Sequence, residues 1–317
     1  MHEFEKSCRV QYASTFFHRS LTNLESAYDH PLIRQSYVSA SDRLFLLDYD
    51  GTCVDLHKYP TLAIPTKRLE AVLERLCADT RNQVYLMTGR DRETMIKYLG
   101  HIKNLGIACE HGMRVRHPGK EEWTSLYKFD EVDLTWMKYV RPILEQIAAR
   151  TPGSFPEIKE SSLVFHYRNS DPEYGNWQAN ELKLHLEESF NSAPMDIIKG
   201  KKVIEIRPAN VGKGIAARRL IRMSGADFVL CAGDDNTDEE MFEEAEKFSG
   251  LLSGVHHSSP GTPTSQVRKK TSIQDFQALQ SKHIFTVVVG AQHANYSRAH
   301  YAVASPTDML NKLELLA

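Results

Sequence analysis

LFLLDYDGT, residues Leu44 to Thr52, decides the fold. Four apolar residues run into Asp48, and a second carboxylate, Asp50, follows two positions later, just ahead of Gly51 and Thr52. A short apolar run ending in Asp and Gly reads as a buried strand emptying into a loop. Both acids then stand at the carboxyl end of a sheet strand, where open α/β sheets place their chemistry. Two such aspartates can divide one phosphoryl transfer between them. One attacks phosphorus as an ionised nucleophile, while the other gives a proton to the leaving oxygen and later takes one from water. A hard divalent cation is needed to draw the two anions together. Taken alone, DYDG is equally a capped turn, because Asp and Gly are common turn residues.

Working outward, apolar β-rich runs recur at Val84 to Met87, Leu105 to Cys109, Phe228 to Cys231 and Ile284 to Val289. Helical patterns lie between several of them: Thr66 to Cys77, Arg92 to Leu99, Lys213 to Met223 and Thr237 to Phe248. This alternation argues for an α/β fold with a Rossmann-like parallel sheet covered on both faces. The stretch from about Met113 to Arg207 breaks the rhythm. There Leu134, Met137, Val140, Ile143, Leu144 and Ile147 recur at helical spacing, with Pro142 expected to bend or interrupt the helix. Glu181 to Phe190 gives a second helix, and Leu163 to Tyr167 and Val203 to Ile206 read as strands. Pro152-Gly153, Asp171-Pro172 and Tyr174-Gly175 read as punctuation. The expected division is a discontinuous core of residues 1–112 and 209–317, with an inserted α/β module of residues 113–208. Ser253 to Lys270 reads as a surface loop, and Met1 to Ser36 as a weakly helical stretch that could dock on the domain or connect upstream.

Composition narrows the class. Of 317 residues, 41% are apolar and 25% charged, ordinary values for globular chains. A net charge of −2 offers no bulk attraction to nucleic acid or to an anionic membrane, so neither is expected as a partner. The cysteines, Cys8, Cys53, Cys77, Cys109 and Cys231, show no metal-ligand spacing and read as reduced thiols of a cytoplasmic protein. Charges throughout the first thirty residues argue against a secretory signal. No stretch approaches the roughly 20 apolar residues that span a bilayer. Asn295-Tyr296-Ser297 fits a glycosylation acceptor and is read as chance.

Three further segments supply what the aspartate pair lacks. Thr88-Gly89-Arg90 follows an apolar run, and its hydroxyl and amides could hold phosphate oxygens at the next helix start. An ordinary helix cap is the plainer reading of a lone Thr-Gly. Lys213 opens another helix between Gly212 and Gly214, a place that disfavours a cation unless an anion is near. A solvated surface lysine is the plainer reading there. Phe228 to Cys231 then runs into Ala232-Gly233-Asp234-Asp235-Asn236-Thr237-Asp238, whose carboxylates suit an oxygen-ligand cation such as Mg²⁺, or cap the following helix. The ordered coincidence of all four decides for chemistry.

DYDGT, TGR, the lysine of NVGKG and GDDNTDEEMF resemble, in that order, the four motifs of the haloacid-dehalogenase superfamily of phosphohydrolases. The insertion between the second and third motifs resembles that superfamily's larger cap domain. More narrowly, EHG (Glu110 to Gly112), RTPGSF (Arg150 to Phe155), HYRNSDPEYG (His166 to Gly175) and IEIRP (Ile204 to Pro208) resemble trehalose-6-phosphate phosphatases, closest to the C-terminal phosphatase domain of the fungal enzymes. The resemblance implies Mg²⁺-dependent hydrolysis of trehalose 6-phosphate to trehalose and phosphate through an aspartyl-phosphate, in trehalose biosynthesis. It implies Asp48 as nucleophile, Asp50 as general acid/base, and Thr88 and Lys213 on the phosphoryl group. Mg²⁺ would be held by Asp48, the carbonyl of Asp50 and Asp234, with Asp235 and Asp238 in support.

Sugar recognition is expected from the inserted module, because a site built to pair many hydroxyls rejects analogues that lack them. Glu157, Lys159, Arg168 and Glu205 are the candidates. Glu205 is the sharpest, since strand geometry turns it opposite to Ile204 and Ile206. His166 stands at even odds, and Trp123, Trp136 and Trp177 read as core more readily than as sugar platforms. The rival readings are the same chemistry on sucrose phosphate or a hexose phosphate, and a non-catalytic sugar-phosphate-binding subunit of a trehalose-synthesising complex. The N-terminal stretch leaves open that the chain is one part of a larger polypeptide or complex.

Overall fold

The apolar run before Asp48 forms strand β1 (Arg43–Asp48), and all six of its residues are buried. The computed structural model describes residues 31–57, 59–128, 132–249, 283–290 and 297–317. Helix α1 (Pro31–Ser39) precedes β1. Next come α2 (Lys67–Ala78), β2 (Asn82–Met87), α3 (Arg92–Leu99), β3 (Leu105–Cys109), β4 (Arg114–Arg116) and β5 (Trp123–Thr124). The middle of the chain holds α4 (Met137–Ala149), β6 (Phe155–Ile158), β7 (Leu163–His166), α5 (Pro172–Ser189), β8 (Met195–Lys199) and β9 (Val203–Pro208). It closes with α6 (Lys213–Ser224), β10 (Phe228–Gly233), α7 (Asn236–Glu246), β11 (His283–Val289), β12 (Tyr301–Val303) and α8 (Pro306–Glu314).

Among the described residues the strands form two sheets, ordered β12-β11-β10-β1-β2-β3-β4-β5 and β6-β7-β9-β8. In the first, β12 through β3 are parallel, and β1 lies centrally with β10 on one side and β2 on the other. Alternate residues of β1 serve different cores. Phe45 and Leu47 pack with Leu69, Leu73, Met95 and Met309, whereas Leu44 and Leu46 pack with Ala216, Leu220, Met241 and Phe242. A strand buried on both faces must be apolar at every position, which is why LFLL does not alternate.

The strands read from sequence in the main sheet are all present, and the inserted region differs in four respects. First, β4 and β5 lie within residues 113–208 yet extend the main sheet: β4 runs antiparallel to β3, because the tight turn at Glu110–Gly112 folds the chain straight back, and β5 runs antiparallel to β4. A division at residue 113 therefore cuts through that sheet. Second, α4 passes through Pro142 uninterrupted. The buried stripe of Val140, Leu144 and Ile147 holds the helix across the one backbone bond that proline cannot make.

Third, α5 starts nine residues ahead of Glu181. Asp171 caps it, accepting the N–H groups of Glu173 and Tyr174, and Pro172 sits in the first turn. What reads as punctuation is a helix start. Fourth, β6 and β8 appear where no strand is evident in the sequence, since both are only half buried and show no apolar alternation. The second sheet carries its own core of Trp136, Leu163, Phe165, Leu182, Ile204 and Ile206 beneath α4 and α5.

Cys53, Cys77, Cys109 and Cys231 are free and buried. No helix among the described residues is long and apolar enough to cross a membrane. Cys8, most of Met1 to Ser36, all of Ser253 to Lys270, and Asn295 and Tyr296 of the acceptor triplet lie outside the described residues.

Candidate active site

Three neighbouring parallel strands, β10, β1 and β2, end at one edge of the sheet and deliver Asp234, Asp48 and Thr88 to it. Lys213 opens α6 behind them, 3% exposed, with its Nζ 2.6 Å from Asp48 Oδ1 and 2.7 Å from Asp238 Oδ1. The anion that its position requires is thus a pair of carboxylates. Burial pulls the ammonium down, but Asp238 and Asp48 outweigh it and hold Lys213 well above its ordinary value. The backbone ahead of it is fixed by Tyr127, whose hydroxyl accepts the Gly212 N–H at 3.1 Å and donates to the His111 carbonyl at 2.8 Å.

Asp238 is fully committed. Its second oxygen accepts the N–H groups of Asp234 and Asp235 at 2.9 and 3.1 Å, so it braces the acidic loop. Asp235 caps α7, accepting from Thr237 and Asp238. Burial and the neighbouring Asp238 raise Asp48 well above the usual carboxylate range, with Lys213 opposing. Burial also pushes Asp238 up to about 7, where Lys213 opposes it and Asp235 and Asp234 add to it.

This donor set fits a divalent cation on two counts. Asp48, Asp234 and Asp238 present oxygens within 4.8 Å of one another, and with Asp238 committed to Lys213 and the loop amides, Asp48 and Asp234 are the two placed to ligate. Among the described residues, four carboxylates, Asp48, Asp234, Asp235 and Asp238, face two ammonium groups, Lys213 and Lys201, so positive charge is lacking. Gly51 makes the geometry possible. Its φ is +87°, and a Cβ there would fall 2.4 Å from the Asp234 carboxyl carbon.

Asp50 is held by Arg90, whose guanidinium donates to both carboxylate oxygens at 2.7 Å and to the Pro60 carbonyl at 2.7 Å. Thr88 accepts the Arg90 N–H at 3.1 Å, which ties that arginine to the loop after β2. One cleft is lined by Asp48, Asp50, Thr88 and Lys213 from this edge and by Glu157, Lys159, Arg168 and Glu205 from the second sheet. Asp234 lines an adjoining hollow that shares Asp50, Arg168 and Glu205. Asp48, Asp50, Thr88, Lys213, Asp234, Glu157, Lys159, Arg168 and Glu205 therefore line this cleft and the hollow beside it.

Each candidate from the second sheet and its loops has a definite partner. Glu205, in mid β9, faces away from buried Ile204 and Ile206, and its carboxylate lies 3.0 Å from His111 Nε2. Burial opposes its ionisation, yet His111, Lys159 and Arg207 hold it well below the usual carboxylate range. Lys159 donates to the Gly89 carbonyl at 3.0 Å, Arg168 to the His57 carbonyl at 3.1 Å, and His166 pairs with Glu157 at 2.7 Å. His166 also stacks on Phe155, with ring centroids 4.6 Å apart. None of the tryptophans lines the cleft: Trp136 is buried, Trp123 half-buried and Trp177 exposed.

Sequence reasoning quoted Arg90 in TGR and Glu110-His111 in EHG without giving them a role, and it did not single out Lys201. Lys201 reaches from the second sheet to Asp234 Oδ2 at 2.5 Å. It sits in a run of surface-type residues with no periodicity to mark it. Glu110 and His111 take left-handed backbone (φ 45° and 56°). That conformation costs of the order of 1–3 kcal/mol per residue outside glycine, and nothing in the letters E and H announces it.

A family model described as Trehalose-phosphatase matches residues 46–281. The chain belongs to the trehalose-phosphatase family. It is 43% identical over 212 residues to a Dictyostelium discoideum protein called alpha,alpha-trehalose-phosphate synthase (UDP-forming) B, covering 67% of this chain and 26% of that one. To a trehalose-phosphatase of Saccharomyces cerevisiae it is 38% identical over 238 residues, covering 69% of this chain and 26% of the relative. The chain thus spans about a quarter of the length of these curated relatives. Among solved structures, the C-terminal domain of the C. albicans trehalose-6-phosphate phosphatase superposes with a TM-score of 0.76 at 32% identity, covering 90% of this chain and 96% of that one.

Proposed function

We propose that the chain is a Mg²⁺-dependent phosphatase that hydrolyses trehalose 6-phosphate to trehalose and phosphate in trehalose biosynthesis, acting in the cytoplasm as part of a larger polypeptide or complex. The carrying observation is that Asp48, bonded to buried Lys213, shares one cleft with the polar residues of the second sheet. Membership of the trehalose-phosphatase family supports the sugar. Relatives several times longer support the larger polypeptide.

In this reading the four-stranded unit is a cap over the sheet edge. Asp48 attacks phosphorus and forms an aspartyl-phosphate, with Lys213 holding its attacking carboxylate in place and screening the incoming phosphoryl charge. Thr88 and the amides of its loop hold phosphoryl oxygens. Asp50, once one oxygen leaves Arg90, protonates the leaving sugar oxygen and then takes a proton from the hydrolytic water. Asp48, the carbonyl of Asp50 and Asp234 would hold Mg²⁺, which would supply charge neutralisation between nucleophile and substrate. Glu157, Lys159, Arg168 and Glu205 read sugar hydroxyls, and the closed cap keeps out all but the reacting water.

The test is phosphate release from trehalose 6-phosphate, glucose 6-phosphate and sucrose 6-phosphate, with Mg²⁺ and with EDTA. Metal-dependent release from trehalose 6-phosphate alone is expected. Comparable rates on glucose 6-phosphate would overturn the disaccharide reading, and no release from any ester would overturn catalysis.

A further inference from the structure

Glu110 and His111 take no part in the chemistry proposed above, yet they are costly to build. Both are buried, 1% and 4% exposed, and both carry the left-handed φ that favours glycine over such side chains. From this turn at the end of β3, both reach the four-stranded unit. Glu110 Oε2 accepts the N–H and the hydroxyl of Ser161 at 2.8 and 2.6 Å. Ser161 lies at the tip of the β6–β7 hairpin, whose Lys159 also reaches the Gly89 carbonyl. His111 meets Glu205, and its ring also packs on Gly89, where a Cβ would lie 3.2 Å from Cε1 and Nε2. The imidazole therefore touches the loop carrying Thr88 and the Glu205 carboxylate at once.

Turns that only connect strands use residues suited to them, and a buried carboxylate and imidazole in left-handed backbone persist where their placement matters. Resting on the sugar-phosphatase reading, we infer that Glu110 and His111 are positioning residues: Glu110 latches the hairpin tip to the core, and His111 sets Glu205 in register with the phosphate-holding loop. The sugar-reading carboxylate and the phosphoryl site are then spaced by one rigid turn of three residues. Misplacing one against the other should penalise a substrate that must touch both and spare one that touches only the phosphoryl site.

The test uses the full chain with Mg²⁺, in the variants His111→Asn, Glu110→Ala and Glu110→Gln. Two esters are compared, trehalose 6-phosphate and a small aryl phosphate that ends short of the cap. For the sugar ester, kcat/KM should fall between about tenfold and a hundredfold in His111→Asn and Glu110→Ala, carried by KM, with the aryl rate held within about twofold. Hydrogen exchange at the Ser161 amide should speed up in Glu110→Ala and return in Glu110→Gln, whose amide oxygen still accepts. Equal losses on both esters, or none on the sugar ester, overturn the inference, as does Ser161 exchange that ignores Glu110→Ala. If the parent chain cleaves the aryl ester and leaves trehalose 6-phosphate intact, the substrate reading fails, and Ser161 exchange still decides the latch.

Discussion

Gly51→Ala adds one methyl group, and its cost can be worked from two distances. The new Cβ would meet Asp234 Cγ and Oδ2 at 2.4 Å and Oδ1 at 2.5 Å, whereas ordinary contacts begin at 3.4 Å, so a displacement near 1.0 Å is required. Asp234 cannot simply swing aside, because it is 4% exposed and tied to Lys201. Backbone strain at φ +87° adds about 1–2 kcal/mol, and overpacking of this kind adds about 1–3 kcal/mol. A total loss of about 2–5 kcal/mol is expected by urea unfolding. Gly225→Ala is the internal control: its φ is +65° and nothing lies within 4 Å of its Cβ, so it suffers the strain without the collision. The difference between the two variants isolates the contact with Asp234. Metal sites tolerate ligand shifts of about 0.2 Å, so Gly51→Ala should also lose its response to Mg²⁺. At a concentration of about a hundred times Kd, the parent and Gly225→Ala should gain about 2.7 kcal/mol and Gly51→Ala nothing measurable. If Gly51→Ala unfolds with the control and titrates Mg²⁺ like the parent by calorimetry, the placement of Asp234 against Gly51 is refuted.

Asp48→Asn should abolish phosphate release while leaving the fold intact, because an amide oxygen still accepts from Lys213 and Asp238 keeps the ammonium paired; residual turnover near the parent's would sink Asp48 as nucleophile. Glu205→Gln should cost about 1.5–3 kcal/mol at pH 7, the worth of a hydrogen bond to a charged group. Because Glu205 is depressed in the folded chain, its contribution is present above the unfolded value near 4.3 and fades as pH falls below it, so the deficit should shrink between about pH 5 and pH 3. A deficit constant across that range, measured by urea unfolding, would argue against the His111 contact. Asp171→Ala removes the α5 cap and should cost about 1 kcal/mol, read as a lower unfolding midpoint, and no loss would place the helix start elsewhere.

The acidic edge of the main sheet was legible because Asp48 and Asp234 stand at the ends of fully buried parallel strands, whose apolar runs do not alternate. Asp48, Thr88 and Asp234 could be placed from LFLL, VYLM and FVLC alone. The second sheet was harder. Glu205 stood out between two buried isoleucines, but β6 and β8 bury only part of each residue and leave no alternation to read. The start of α5 was lost because Asp-Pro and a nearby Gly signal a turn and a helix N-terminus equally well. Contacts between the two sheets, such as Lys201 with Asp234 and Glu110 with Ser161, join residues far apart in the chain by packing, and no local pattern encodes them.

The pairing of β1 with β10 has a consequence for how the chain matures. Leu47 lies beside Ala232, and the whole four-stranded sheet is threaded between those two strands in the chain. That middle unit has its own core and can collapse on itself soon after it is made, whereas the central strand must wait for a neighbour synthesised almost two hundred residues later. Until then the edge of β1 that β10 will cover is bare and apolar, open to wrong partners. The carboxylates at its end have no lysine, because Lys213 belongs to the same late segment. Competence is therefore a last-minute property of the nascent chain, and agents that delay translation between β9 and β10 should raise aggregation more than those acting earlier.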